Sequence, residues 1–418
     1  MLADIAEFLQ IDPWPPMPAF ALWAAVALIA AALLGEAVRR VAGWPRLVGY
    51  SAVGLVLGLA LGQGLGAVEG GPRWVVDLAL ALLLFELGSR VRLSWLRANP
   101  ALLLTSVVEV TAGFFAIYAA LRWIDLPVNV ALTCATLGSC ASGAVVSRVA
   151  GELKSAGQVT ERMIVLTTLN TLVAVLAHRL VIGWLHLDVA GDAVRAVSQP
   201  LWVFGGSVLL AALLAKGVAG VARRLDLVDE NAALLLLGLV VLALIGARLF
   251  NLSTLLVPLL AGVLLRNTTE RPWVWPRHFG TAGGVLVLMM FVIVGSAWSV
   301  SAVLQGGLAA LVMLAARFAA KTSAVIALAP WSGLRWRQGF GLALTLTPLS
   351  GTVLVLLADL QSTHPQFAPQ VVPIVLSAIA FTELLGPLAV QWGLHVAGEP
   401  QPVARRQSES QVVREAVA

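Results

Sequence analysis

Charged side chains are scarce in this sequence. Only 12% of its 418 residues are Asp, Glu, Lys or Arg, while 59% are hydrophobic. A water-soluble domain is nearer a quarter charged. This composition therefore excludes an ordinary soluble protein and makes lipid the surrounding solvent.

Cysteine is almost absent as well, since Cys134 and Cys140 are the only two and both lie in one apolar stretch. Such a pair predicts neither a disulfide framework nor a metal site. We find no nucleophile–base pair and no cluster of metal ligands, so the sequence predicts neither an enzyme nor a bound cofactor. The pI of about 9.9 is explained by cytoplasmic loops and by attraction to anionic lipid. The partner we predict for these charges is the lipid bilayer and not nucleic acid.

Thirteen apolar stretches follow one another along the chain. A helix crosses the ~30 Å hydrocarbon core of a bilayer in about 20 residues, and all but the third and ninth stretches approach or exceed that length. The pattern predicts an all-α integral membrane protein with about thirteen transmembrane helices. The stretches are 19–38, 48–67, 74–89, 100–123, 128–149, 160–186, 201–222, 231–249, 253–266, 282–298, 303–329, 338–360 and 368–394.

Most of the 27 lysines and arginines fall in alternate gaps between these stretches. Basic residues of short loops stay on the cytoplasmic side. The alternation predicts a multi-pass protein of a bacterial inner membrane, with its N-terminus outside and its C-terminus in the cytoplasm.

An odd number of spans gives the two halves of the chain opposite orientations. Inverted repeats of this kind build many secondary transporters. We predict one transmembrane transport domain over residues 1–397, with repeats at about 19–186 and 231–394 joined by a linking helix at 201–222. A short polar tail, 398–418, is predicted to be cytoplasmic and disordered.

Corresponding spans of the two halves, the fifth and the twelfth, contain helix-breaking polar clusters at 138–143 and 345–352. Proline removes a backbone donor and glycine permits unwinding, and matched interruptions point to a substrate site. We predict crossing discontinuous helices, although small-residue packing faces would give the same pattern. The candidate unwound residues are Ser139, Ser142, Gly143, Thr347, Pro348, Ser350 and Gly351.

Four ionisable residues fall near mid-membrane by counting: Glu109, Arg317, Lys321 and Glu383. Each costs at least ~2.5–3.5 kcal/mol at the bilayer centre unless it is paired or wetted. Arg317 and Lys321 are four apart and share a helix face, so a carboxylate is expected nearby, with Glu109 and Glu383 as the available partners. Three interpretations stay open: ion handling, a buried ion-pair cluster that fixes helix packing, and snorkelling of Lys321 to the inner interface.

The order of these features resembles the monovalent cation:proton antiporter superfamily, with its sodium/hydrogen exchanger fold, over about residues 20–394. The resemblance rests on the two polar breaks and on short segments that are similar to helices and a loop of the family. These segments are Trp44-Pro45-Arg46-Leu47-Val48-Gly49, Gly54-Leu55-Val56-Leu57-Gly58, Leu83-Leu84-Phe85-Glu86-Leu87-Gly88 and Ala261-Gly262-Val263-Leu264-Leu265.

The resemblance implies a site on the sixth helix, where an acid that follows Asn or Asp binds the cation and the proton in competition. Here the segment reads Leu169-Asn170-Thr171, and threonine stands where the acid belongs. Lys321 looks like the family's lysine on the eleventh helix, which implies that it faces the negative C-terminal ends of the half-helices. We predict an atypical ion site in which Asn170 and Thr171 offer neutral oxygens and Glu109 or Glu383 supplies the missing charge.

The resemblance therefore implies a secondary-active transporter that exchanges Na⁺ or K⁺ for protons by alternating access. Because the sixth-helix acid is missing, two alternatives stay open: transport of an anion or other solute on the same fold, and a non-transporting relative. The expected partners are monovalent cations, protons and the lipid bilayer, and the family implies a possible homodimer.

Overall fold

A computed structural model describes residues 19–61, 69–191, 193–224, 230–269, 277–349 and 351–400, and this part of the chain folds into helices joined by short connections. The helices are α1 (Ala19–Ala42), α2 (Arg46–Leu61), α3 (Gly71–Arg90), α4 (Leu93–Ala98), α5 (Pro100–Trp123), α6 (Val128–Ser139), α7 (Gly143–Leu153), α8 (Gln158–Ala190), α9 (Ala193–Arg224), α10 (Glu230–Leu249), α11 (Leu256–Thr268), α12 (Arg277–Ser296), α13 (Val300–Leu328), α14 (Trp336–Thr345), α15 (Gly351–Thr363) and α16 (Ala368–Ala397).

Every predicted apolar stretch corresponds to one helix or to a pair of half-helices, so the all-α membrane architecture is confirmed. Within the described ranges, seven helical segments are long and apolar enough to cross a membrane, and five further apolar helices are shorter. The count of thirteen spans, the repeat boundaries and the orientation of the termini stay predictions. Residues 401–418 of the tail lie outside the described residues.

Three boundaries differ from the sequence prediction. The short helix α4 lies between the third and fourth spans, where no span was predicted. The second helix ends at Leu61, and 62–68 lie outside the described residues. The linking helix α9 begins at Ala193 instead of 201, and it continues through its internal Pro200, which cannot donate the usual helical hydrogen bond to the Ala196 carbonyl.

The fifth and twelfth spans are both interrupted, as predicted. Helix α6 ends at Ser139, Cys140 is extended (φ −62°, ψ 153°), and α7 begins at Gly143. Helix α14 ends at Thr345, and Thr347 and Pro348 lie in a non-helical linker before α15 begins at Gly351. Ser350, the remaining candidate of that linker, lies outside the described residues.

The helices pack as two groups. Helices α5–α8 and α13–α16 pack mainly on one another and form the crossing group, which contains both interruptions. Helices α1–α3 and α9–α12 form the flanking group, and the consecutive helices α8 and α9 also pack against each other. This division places the interrupted segments in one unit and gives that unit a long boundary with the other.

Glycine allows the closest approach inside the flanking group, where α3 crosses α11. A Cβ on Gly88 would lie 2.2 Å from the Leu259 carbonyl oxygen, and one on Gly262 would lie 2.2 Å from the Phe85 carbonyl oxygen. In lipid, helices associate by close van der Waals packing of such small residues. Gly88 and Gly262 both belong to the segments that carry the family resemblance. Close helix packing explains why glycine occupies these two positions.

Candidate functional site at the crossing of two broken helices

The two helix interruptions touch each other. The Ser142 amide donates a hydrogen bond to the Pro348 carbonyl at 2.9 Å, so the linker of the first half crosses the linker of the second. The Ser142 hydroxyl also caps α7, accepting from the Val145 amide at 3.2 Å. Non-helical backbone at membrane depth persists only where its polar groups are satisfied inside the protein, and this crossing meets that requirement.

Arg317, on α13, binds the carbonyl ends of both α6 and α14. Its guanidinium donates to the carbonyls of Gly138 (2.7 Å), Cys140 (2.7 Å), Leu346 (2.9 Å) and Thr347 (2.5 Å). These carbonyls have no partner within their own helices because they lie at C-terminal ends. The fork of guanidinium donors reaches both ends at once, so one buried side chain joins the two half-helices.

Lys321 lies elsewhere than the resemblance implied. The half-helix ends are occupied by Arg317, while the Lys321 Nζ atom lies 2.5 Å from Glu109 Oε2 on α5. Lys321 is 2% exposed and Glu109 is fully buried, so the snorkelling interpretation is wrong. The aliphatic stem of Lys321 passes over Gly113, where a Cβ would lie 3.4 Å from its Cγ. The lysine stem therefore packs on Gly113, one turn from its partner Glu109, at a distance where an added Cβ would make ordinary van der Waals contact.

Glu109 also contacts Asn170, the residue before the sixth-helix position that lacks the family's acid. Asn170 donates from Nδ2 to Glu109 Oε1, and its own Oδ1 is buried without a hydrogen-bond partner. The neighbouring Thr171 hydroxyl donates to the Thr167 carbonyl at 2.9 Å and lies 3.3 Å from the Ala141 carbonyl of the first linker. The carboxylate from α5 thus reaches the place on α8 where the sequence has only neutral oxygens.

Each buried charge of the cluster has a partner of opposite sign. The Lys321 ammonium pairs with the Glu109 carboxylate. The C-terminal end of a helix carries about half a negative charge, and two such ends meet at Arg317. These local pairings explain how the three side chains can be buried together.

Glu383, the other predicted partner, does not join this cluster. It is fully buried on α16, and its Oε2 accepts a hydrogen bond from the Ser51 hydroxyl of α2 at 2.9 Å. Of the two acids that the sequence offered as alternative partners, the structure therefore pairs Glu109, and not Glu383, with Lys321. Counting along a helix places a residue at a depth but does not fix which neighbour its face meets.

Sequence reasoning missed two residues that shape these sites, Ser51 and Gly113. Ser51 is a polar residue near the start of an otherwise apolar helix, and Gly113 follows Glu109 by one helical turn. Each carried a weak signal, because a buried carboxyl needs a donor and the lysine stem packs on the helix face that carries Glu109. Another polar cluster links α8 to α15, where Asp359 accepts from Arg179 (3.1 Å) and lies 3.3 Å from His178.

Comparison with solved structures supports the fold. Two structures of the sodium proton antiporter MjNhaP1 from Methanocaldococcus jannaschii, one at pH 8 and one an electron-microscopy map, share 15% identity with this chain. Their TM-scores are 0.66 and 0.69, with 90% and 93% of this chain covered and 97% and 100% of the other. At this identity the likeness is one of fold. No curated protein matches the chain.

A family model extends this likeness from the fold to the sequence. The model of the transmembrane sodium/hydrogen exchanger matches residues 25–395. This range includes both interrupted helices and every residue of the Glu109 cluster. The chain belongs to the sodium/hydrogen exchanger family.

Proposed function

We propose that this protein exchanges a monovalent cation, Na⁺ or K⁺, for protons across the membrane, and that Glu109 is the acid of the exchange site. Family membership supports the reaction class, and the similar solved structures are those of a sodium proton antiporter. The geometry supports the role of Glu109 in place of the missing acid on the sixth helix. Glu109 contacts both Asn170 and Lys321 beside the crossing linkers.

The observation that carries the proposal is the set of oxygens around Glu109. Hard monovalent cations bind oxygen ligands, as other hard cations do. The carboxylate supplies a charged oxygen and the partnerless Asn170 Oδ1 supplies a neutral one, while the hydroxyl of the next residue, Thr171, donates to the Thr167 carbonyl. A buried amide oxygen without a donor is costly, and a bound cation would satisfy it.

The exchange follows from competition for one carboxylate. In the arrangement described, the Lys321 ammonium is the cation that Glu109 holds. An incoming metal cation would displace the ammonium, since two positive charges on one carboxylate in a dry site repel each other strongly. Lys321 then releases its proton as the metal cation binds, and recovers a proton when the metal cation leaves. One site therefore carries either ion but not both.

Arg317 positions this site instead of taking part in the exchange. Its four carbonyl contacts hold the two linkers together, so the half-helices would move as one body in alternating access. The two groups of helices divide the protein into a moving and a static unit, with the repeats and the terminal orientation as the sequence predicts. The homodimer that the family resemblance implies belongs to the same proposal.

Neither alternative function gains support from the geometry. An anion site needs an available positive charge, whereas both buried cations already have partners. A non-transporting relative would keep the Glu109–Lys321 pair solely for packing. Exchange that depends on the Glu109 carboxylate would support the transporter, whereas a non-transporting relative would show no exchange with or without that carboxylate.

The test is proton flux in vesicles that contain the purified protein, with an internal pH-sensitive dye and imposed gradients of Na⁺ or K⁺. We expect cation-dependent proton movement in the native protein, and a loss of at least about tenfold in Glu109→Gln, which corresponds to about 1.4 kcal/mol. The matched control is Glu161→Gln, because Glu161 is an exposed acid in the first turn of α8.

Two results would overturn the proposal. One is a native protein that moves no protons in response to any monovalent cation, which would favour a non-transporting relative. The other is full exchange by Glu109→Gln, which would show that the acid of the site lies elsewhere. Uptake of labelled anions without any cation dependence would favour the anion alternative.

A further inference from the structure

A second buried carboxyl group lies at the boundary between the two groups of helices, away from the Glu109 cluster. Glu383 of α16 belongs to the crossing group, and Ser51 of α2 belongs to the flanking group. Both are fully buried. The hydrogen bond between Ser51 and Glu383 at 2.9 Å therefore joins the two groups inside the protein.

The Glu383 carboxyl is only half satisfied. Its Oε2 accepts from Ser51, while its Oε1 is buried and has no hydrogen-bond partner. An unpaired buried carboxylate is expensive, and that cost disappears when the carboxyl carries a proton. The arrangement suits a group that holds a proton while this boundary is closed.

The charged side chains of three neighbouring helices, α7, α13 and α15, are engaged elsewhere. None of them forms an ion pair with Glu383 in the described part of the chain. Arg317 and Lys321 of α13 bind the linkers and Glu109; Arg148 and Glu152 of α7 bind the Gly283 carbonyl and the Arg46 amide; Asp359 of α15 binds Arg179. Tyr50, the titratable residue next to Ser51 on α2, has its ring against Gly35 of α1.

Glu383 is also connected to the second linker. Its neighbour Thr382 lies 3.4 Å from the Leu349 carbonyl, and a Cβ on Gly386 would lie 2.9 Å from the Pro348 Cβ atom. Pro348 is the residue that the Ser142 amide contacts at the crossing. The helix that carries Glu383 is therefore in direct contact with the crossing.

We propose that Glu383 is a second proton-binding site, separate from Glu109, that is loaded when the α2–α16 boundary is closed and unloaded when the two groups slide apart and water reaches it. The proposal rests on the proposed exchange function for its role in transport. The binding of the proton itself needs no transport. The Ser51 hydroxyl acts as a positioning group, holding the carboxyl at the boundary.

The first experiment detects the protonated carboxyl directly and needs no flux. Infrared difference spectra of the purified protein in lipid, recorded across a pH titration, are compared for the native protein, Glu383→Gln and the control Glu161→Gln. We expect a protonated-carboxyl band that native and control proteins share and Glu383→Gln lacks. Ser51→Ala should shift this band to higher frequency, because its carboxyl loses a hydrogen bond. Native and Glu383→Gln spectra that agree throughout, with no shift in Ser51→Ala, would overturn the proposal.

The second experiment measures the role in transport. The number of protons moved per cation, taken from reversal potentials in vesicles, should fall by one in Glu383→Gln and stay unchanged in Glu161→Gln. An unchanged ratio in a transporting Glu383→Gln protein would refute a role as proton carrier. If Glu109→Gln abolishes no exchange but the infrared band still requires Glu383, the proposed function fails and this inference stands. If Glu383→Gln does not fold, the Ser51→Ala band shift decides the question.

Discussion

Replacement of Arg317 should destabilise the fold by removing the only described side chain that binds both half-helix ends. Arg317→Met keeps an unbranched apolar stem of similar reach and deletes the four hydrogen bonds to the carbonyls of Gly138, Cys140, Leu346 and Thr347. These carbonyls then lie buried beside an apolar side chain.

The expected magnitude follows from two opposing contributions. Hydrogen bonds to charged groups contribute roughly 1.5–3 kcal/mol each, so four of them approach about 6–12 kcal/mol. Removal of the guanidinium also relieves its own desolvation, which is several kcal/mol for a buried ion. The difference agrees with the loss of about 3–5 kcal/mol that is typical when one partner of a buried charged contact is removed. Arg317→Lys should lose about half as much, because a single ammonium cannot reach both helix ends.

The assay is unfolding by denaturing detergent in mixed micelles, followed by tryptophan fluorescence, with the chain's 14 tryptophans as probes. The matched control is Arg97→Met, since Arg97 is exposed on the short helix α4 and surface substitutions stay within about 0.5 kcal/mol. A loss below about 1 kcal/mol in Arg317→Met, relative to that control, would refute the view that these four bonds join the half-helices.

Two further predictions concern the α8 site and the packing of the flanking group. Thr171→Asp restores an acid beside Asn170 and the Ala141 carbonyl, and it should raise or create cation-dependent proton exchange in vesicles, with Thr171→Ser as a control that keeps the hydroxyl. Robust exchange by the native chain that Thr171→Asp abolishes would contradict this view of the position. Gly262→Ala should lower the unfolding free energy by about 1–3 kcal/mol through overpacking, because the added Cβ would lie 2.2 Å from the Phe85 carbonyl oxygen. Gly238→Ala, at a helical glycine with open space around it, should instead be neutral or stabilising because alanine is the better helix former, and equal stability of the two variants would rule out the close helix crossing.

The sequence was sufficient for the helical architecture because lipid leaves few choices. Backbone groups in the bilayer core must be satisfied within a segment, so long apolar stretches become helices whatever their neighbours are. The two interruptions were equally readable, since Pro348 and the glycines around Ser139 and Ser142 disfavour an unbroken helix locally. These are properties of short pieces of chain.

The sequence also indicated that a carboxylate would lie near Lys321, but it offered Glu109 and Glu383 without a way to choose. The choice depends on how α5 and α16 are rotated about their axes and on which helix each one faces. In the structure α13 packs on the face of α5 that carries Glu109 and Gly113, so the Lys321 side chain lies beside both. That contact appears only when α13 is placed against α5.

The place at the half-helix ends that the resemblance gave to Lys321 is taken by Arg317 in the structure. Their spacing of four residues placed both on one buried face, as predicted, yet their positions along that face differ by about 6 Å, slightly more than one turn. Such a shift is enough to put Arg317 at the half-helix ends and Lys321 at Glu109. Resemblance to a family assigns a role to a position but cannot register one helix against its neighbour.

Hydropathy and helix-breaking residues thus determined by themselves that this chain is a membrane protein with paired interruptions, because both depend on local transfer energies and backbone conformation. The tertiary structure alone decided which ionisable groups meet: Glu109 with Asn170 and Lys321, and Glu383 with Ser51 across a boundary between two groups of helices. Contacts between residues 61 to 332 positions apart follow from helix rotation and packing, which a linear pattern does not contain.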